Sequence, residues 1–206
     1  QPGTPTYHIY DFSEVFGPLD LDALREAFRT TVAFRDALRI GFSEDAGRPV
    51  QVIRERVDAD IEFVDIESRW RAEGVVARDR MIDLVSQRPF DLAKPPLMRL
   101  SVLRLEQDRH VLIVATHHIV TDAWSMMNLR NDLTGAYNAH RAGRTPQLPE
   151  SPPQFADTVL WQRMPEQQDR VRKQLDFWRD TLAGTSGLLD LPNDRPYGTV
   201  ISANGA

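Results

Sequence analysis

His117 and His118, with Asp122 four residues beyond the second, place two imidazoles and a carboxylate within one short segment. Imidazole titrates nearer neutral pH than any other unperturbed side chain, so a positioned histidine can accept or orient a proton during acyl transfer. A buried carboxylate nearby would need a cation to hold it. Metal binding fits the pattern poorly. If a strand runs through adjacent histidines their side chains point to opposite faces, and the sequence has neither cysteine nor a His-Glu-x-x-His helix to supply further ligands. The same residues also have a plain structural reading, as polar side chains closing a strand.

The elements around the pair are legible. Val111, Leu112, Ile113, Val114 and Ala115 form an apolar run rich in β-branched residues, which predicts a buried strand. From Trp124 onward Met126, Leu129, Leu133, Ala136 and Tyr137 recur at helical spacing, with Thr121 or Asp122 as the cap. Residues 116–123 therefore make a tight crossing from strand to helix, where rigid elements can position polar side chains. Upstream, Asp20 is placed to cap a helix whose apolar face is Leu21, Leu24, Ala27 and Phe28, with Leu19 stapled against Leu24. Strands are expected over Val50 to Val57, Ile61 to Val64 and Leu97 to Leu105, and a helix over Arg69 to Val85 that ends before Pro89. Gly143 to Pro153 reads as a loop, followed by helices carrying Phe155, Val159 and Trp161, then Val171, Leu175, Trp178 and Leu182. Trp70, Trp161 and Trp178 read as packing anchors, Trp124 as support for the loop or lining of a channel. His8, His110 and His140 have no motif around them.

Composition narrows the function classes. A net charge of -5 with acids interleaved among the arginines, as in Arg78-Asp79-Arg80, gives no basic tract for nucleic acid. No apolar run approaches a membrane span, and Gln1-Pro2-Gly3 does not open a signal-peptide pattern. With no cysteine, no disulfide staples the fold. A chain of 206 residues is long enough for a sizeable core.

Thr116 to Ser125 resembles the HHxxxDG signature of the condensation domains of nonribosomal peptide synthetases, in the superfamily typified by chloramphenicol acetyltransferase. Other stretches fit in order. Phe34 to Phe42 resembles RHExLRTxF, Pro89-Phe90-Asp91-Leu92 with Pro96 to Arg99 resembles PFDL…PLxR, and Phe155 to Trp161 resembles YxDxAxW. Phe177 to Gly184 and Leu191 to Pro196 are similar to the segment leaving the family's first lobe. The departures are Ala123 in place of the motif's glycine, and Phe34, Arg35 and Ile40 in place of arginine, histidine and threonine.

The resemblance implies an α/β fold, one lobe of a two-lobed domain, with a mixed β-sheet packed by helices. Residues 1–183 would be the N-terminal lobe and 184–206 a polar segment leading toward the C-terminal lobe, whose absence would leave the isolated lobe inactive. The implied activity is amide formation between two thioesters. Both would hang on 4'-phosphopantetheine from donor and acceptor peptidyl carrier proteins, within a cytoplasmic synthetase of neighbouring modules. His118 would be the catalytic residue. Asp122 would pair with Arg39 as architecture, and His117, Ala123, Trp124 and Ser125 would support the loop; no metal and no cofactor site on the lobe itself is expected. Ala123 would be strained if its position needs positive φ and well suited if it begins the helix. Two other readings share the fold: a noncatalytic recruitment domain, and a coenzyme A-dependent small-molecule acyltransferase.

Overall fold

A computed structural model describes residues 5–148 and 153–185, with Gly187 and Pro192. Its elements are β1 (His8–Phe16), α1 (Leu21–Phe34), a 3₁₀ turn (Asp36–Arg39), β2 (Ile40–Asp45), β3 (Arg48–Ile53), β4 (Ile61–Asp65), α2 (Glu67–Glu73), α3 (Val75–Ser86), β5 (Met98–Glu106), β6 (Arg109–His117), α4 (Ala123–Arg141), α5 (Phe155–Gln162) and α6 (Pro165–Thr181). Residues 1–155 and 156–206 form two compact units. The second contains most of α5 and all of α6, in which no residue is buried, Trp161 and Trp178 included. The expected packing role of those two tryptophans is thus not realised. Most of the segment 184–206 lies outside the described residues.

Four strands of the first unit form one sheet in the order β1-β6-β5-β4. β4 runs parallel to β5 and the other neighbours are antiparallel, so the sheet is mixed. β2 and β3 form a separate hairpin.

Alternation along the strands sorts side chains onto two faces. Met98, Leu100 and Val102 of β5, with Leu112 and Val114 of β6, pack against Leu24, Ala27 and Phe28 of α1 and Leu129, Leu133 and Ala136 of α4. Leu103 and Leu105, with Val111 and Ile113, pack on the other face against Ile82 and Val85 of α3. Trp70 packs at the edge of this second core, and its Nε1 donates to Glu106 at 2.9 Å. β6, which carries the apolar run from Val111 to Ala115, is an inner strand flanked by β1 and β5.

Three boundaries differ from the sequence reading. The strand expected over Val111 to Ala115 begins at Arg109 and runs on through His117, because β1 pairs with it along its whole length. The helix expected over Arg69 to Val85 is two helices, broken at Gly74, whose φ of 57° is one that residues with side chains avoid. The strand expected over Val50 to Val57 ends at Ile53.

Candidate active site

The sheet holds the main chain up to the histidines and releases it there. The His117 N–H donates to the Leu97 carbonyl at 3.0 Å, and the His118 N–H to the Tyr7 carbonyl at 2.7 Å. The Val120 N–H then turns back to the His117 carbonyl at 3.1 Å. Inside the turn, the Thr116 and Thr121 hydroxyls are hydrogen-bonded at 2.7 Å, both residues buried, and Thr121 also reaches the His117 carbonyl at 3.3 Å. This pair of hydroxyls was not singled out from the sequence. A threonine at each end of the turn, five residues apart, was the available signal.

The two histidines part ways here. His117 continues the alternation of β6 and stays half-buried on the α3 side, its Nδ1 accepting from the Ile119 N–H at 3.1 Å. Burial lowers its pKa, and the nearby His8 and His118 lower it further. His118 lies past the strand end and is exposed.

Asp122 is the N-cap of α4. Its Oδ1 accepts from the Ser125 N–H at 2.8 Å and from the Ser125 hydroxyl at 2.6 Å. Those hydrogen bonds hold its carboxyl below the usual range, with His118 adding to the effect. Ala123 is the first residue of the helix and does not have positive φ, so the alanine is well placed where the motif's glycine is missing. Trp124 is 72% exposed.

The pairing expected between Arg39 and Asp122 is not formed. Arg39 instead meets Asp36 and the carbonyls of Arg54 and Glu55, tying the 3₁₀ turn to the end of β3. Each partner had a local alternative three residues away, Asp36 for Arg39 and Ser125 for Asp122, and neither alternative requires ordering a long-range contact. A long-range arginine–carboxylate pair that does form beside the site is Arg35 to Asp132 of α4, at 2.7 Å. Arg35, one of the departures from the family pattern, therefore anchors the start of the 3₁₀ turn to α4.

Between these elements lies a cavity of about 380 Å³ beside His118 and Asp122, walled by Leu38, Ile40, Phe42 and Leu129. Among the described residues no three metal-ligating side chains come together, and no helix is long and apolar enough to cross a membrane.

A half-buried and an exposed imidazole thus stand at a strand end, with a capped helix and a partly apolar hollow beside them. The family described as "Condensation domain" matches residues 1–203, and the chain belongs to that family. It is 34% identical over 213 residues to the isonitrile lipopeptide synthase of Mycobacterium tuberculosis, covering 100% of this chain and 8% of that one. It is 38% identical over 200 residues to phosphinothricin tripeptide synthetase PhsB of Streptomyces viridochromogenes, covering 97% and 17%. The chain thus spans a small part of these relatives. Among solved structures it resembles the SgcC5 protein from Streptomyces globisporus (31% identity, TM-score 0.75, 87% of this chain and 40% of that one) and the X-domain from teicoplanin biosynthesis (30%, 0.76, 92% and 42%). The mixed α/β lobe is the architecture of these neighbours.

Proposed function

We propose that the chain is the first lobe of a condensation domain that joins a donor acyl or peptidyl thioester to the amine of an acceptor aminoacyl thioester. Both substrates would be held on the phosphopantetheine arms of peptidyl carrier proteins. The observation that carries the reading is the placement of His118: a solvent-facing imidazole on a main chain fixed to Tyr7, just ahead of β1, at the border of a hollow lined by both apolar and polar side chains. Its apolar part, Leu38, Ile40, Phe42 and Leu129, suits an uncharged thioester. An ammonium cannot attack, so the amine arrives neutral, and as its nitrogen bonds to the donor carbonyl carbon it becomes cationic and must shed one of its protons. Neutral His118 accepts or orients that proton; the carbon–sulfur bond breaks, and the departing sulfur is protonated in turn. Holding both tethered reactants in register supplies much of the remaining acceleration. His117, Asp122 and Ser125 shape the loop, and Arg39 and Arg35 fix the segment facing it.

The test uses the domain expressed at the length of the solved relatives, with loaded donor and acceptor carrier proteins, in single turnover beside a thermal melt. His118→Ala is expected to lower amide formation by about 10²- to 10⁴-fold without a matching loss of stability. Full activity in folded His118→Ala removes His118 from the chemistry. One observation favours a second reading: the teicoplanin X-domain is known in complex with OxyB, so the chain could belong to a recruitment domain of the same fold. Folded wild-type protein that yields no product across varied donors and acceptors would support that reading.

A further inference from the structure

His8 carries no motif, yet β1 sets it directly opposite His117, with ring centroids 5.9 Å apart. The two rings have complementary protons. His117 Nδ1 accepts the Ile119 N–H, so that nitrogen is bare and the proton of the neutral ring sits on Nε2. His8 Nδ1 lies 3.2 Å from the Ser86 carbonyl, which can only accept, so Nδ1 carries the proton and Nε2 is a lone pair, buried and without a partner. Phe90 stands edge-on to both rings, at 4.9 Å from His8 and 6.4 Å from His117, and Tyr7 flanks His117 at 6.1 Å.

The charged neighbours are cations. Arg99 of β5 lies over Phe90 at 3.9 Å and donates to the Arg88 and Pro89 carbonyls, with Arg88 and Glu62 beyond it. His118 follows in the loop, and α3 offers His8 only the Ser86 carbonyl. Burial lowers the pKa of both imidazoles; Arg99 adds to this at His8, and His8 adds to it at His117.

We propose that His8 and His117 form a paired-imidazole clamp on the loop that carries His118: while both rings are neutral His117 Nδ1 holds the Ile119 amide, and a proton on His117 turns that acceptor into a donor and releases the loop. His8 is a positioning residue that acts through His117, since a charge on either ring opposes a charge on the other. The functional consequence rests on His118 being the residue that meets the acceptor amine. The clamp itself is read at the Ile119 amide, so it fails or stands apart from the condensation chemistry.

The experiment follows Ile119 amide exchange, corrected for its intrinsic rate, and the imidazole nitrogen signals of the ¹⁵N-labelled whole domain from about pH 8 to about pH 5. In the wild type the His117 proton is expected on Nε2 near neutral pH, with Ile119 exchange rising at least about tenfold as His117 protonates. His117→Asn, whose Oδ1 replaces the Nδ1 acceptor and does not titrate, is expected to keep Ile119 protected throughout. His8→Asn, which retains a donor for the Ser86 carbonyl but not the ring charge, is expected to move the release to higher pH. A proton on Nδ1 of wild-type His117 near neutral pH overturns the proposal, as does an acid-dependent Ile119 exchange that persists in His117→Asn.

Discussion

β6 begins and ends among cationic side chains, and the two ends handle them differently. At the hairpin end Arg109 and Arg78 converge on Glu14, at 2.8 and 2.7 Å, and Arg104 meets Asp65. The Arg109 guanidinium also lies over the Phe16 and Trp70 rings. Its hydrogen bond, aided by that of Arg78, holds the Glu14 carboxyl below the usual range. A buried imidazole sits here too, His110, lowered by burial and by Arg104 but partly offset by Asp108. At the other end His8, His117 and Arg99 gather with no carboxylate in ion-pair distance of any of them among the described residues, and burial lowers all three, Arg99 to about 10. One end compensates its charges and the other leaves them uncompensated beside the loop of His118. Perturbed titratable groups concentrate at functional sites because proton chemistry needs them there, whereas compensated pairs serve to hold elements together.

The largest effect that tests this contrast is expected from Glu14→Ala, which leaves Arg78 and Arg109 facing each other without their shared acid. Both guanidiniums keep some solvent, so the cost is about 2 kcal/mol rather than the larger figure for a fully buried pair. For a chain of this size that is a melting temperature lower by roughly 4–8 °C. Because the folded state depresses the Glu14 pKa, its stabilisation is present above the ordinary 4.5 and lost as pH falls through the lower folded value. The difference between wild type and variant should therefore narrow in acid, and a gap that stays constant would mean that packing, not charge, is what the substitution removes.

Asp122→Ala comes next, and it separates a local cap from a long-range pair. As the cap of α4 its loss should cost about 1 kcal/mol, roughly 2–4 °C, with Asp122→Asn recovering most of it because the amide oxygen still accepts from Ser125. A loss as large as that of Glu14→Ala, not rescued by asparagine, would indicate that Asp122 anchors a distant arginine after all.

That substitution touches the place where the sequence was hardest to read. β6 was legible because its buried run from Val111 to Ala115 has no competing pattern, and the caps were legible because Asp20 and Asp122 need only donors three residues away. β1 escaped because its aromatic residues point outward: Tyr10, Phe12 and Phe16 are exposed, so the strand lacks the apolar-in, polar-out alternation of a half-buried edge. The same oversight hid His8, whose significance depends entirely on lying across from His117. Spacing does offer Asp36 to Arg39, three residues away, but it cannot show that Arg35 finds Asp132 across 97 residues. Local capping competes on terms that one turn of chain reveals; cross-strand and cross-helix partners exist only once the sheet has been assembled.

The smallest effect, and the one that addresses the uncompensated end directly, is expected from Arg99→Met. Methionine keeps an adaptable apolar contact with Phe90 while removing the cation that lowers the His8 pKa. In the wild type the buried His110 and the half-buried His8 and His117 have depressed pKa values, so the unfolded chain binds more protons than the folded one below the ordinary 6.5. Stability should thus be full above that pH and decline as pH falls toward the depressed folded values, before the carboxylates contribute. With Arg99 gone, His8 should titrate closer to 6.5 and the acid-side decline should shrink, while His110 at the far end keeps its own share. Chemical denaturation at a series of pH values, paired with histidine titrations by NMR, measures both quantities. A His8 titration unmoved in Arg99→Met would mean that burial alone depresses it, and the contrast between the two ends of β6 would then be one of desolvation rather than of charge.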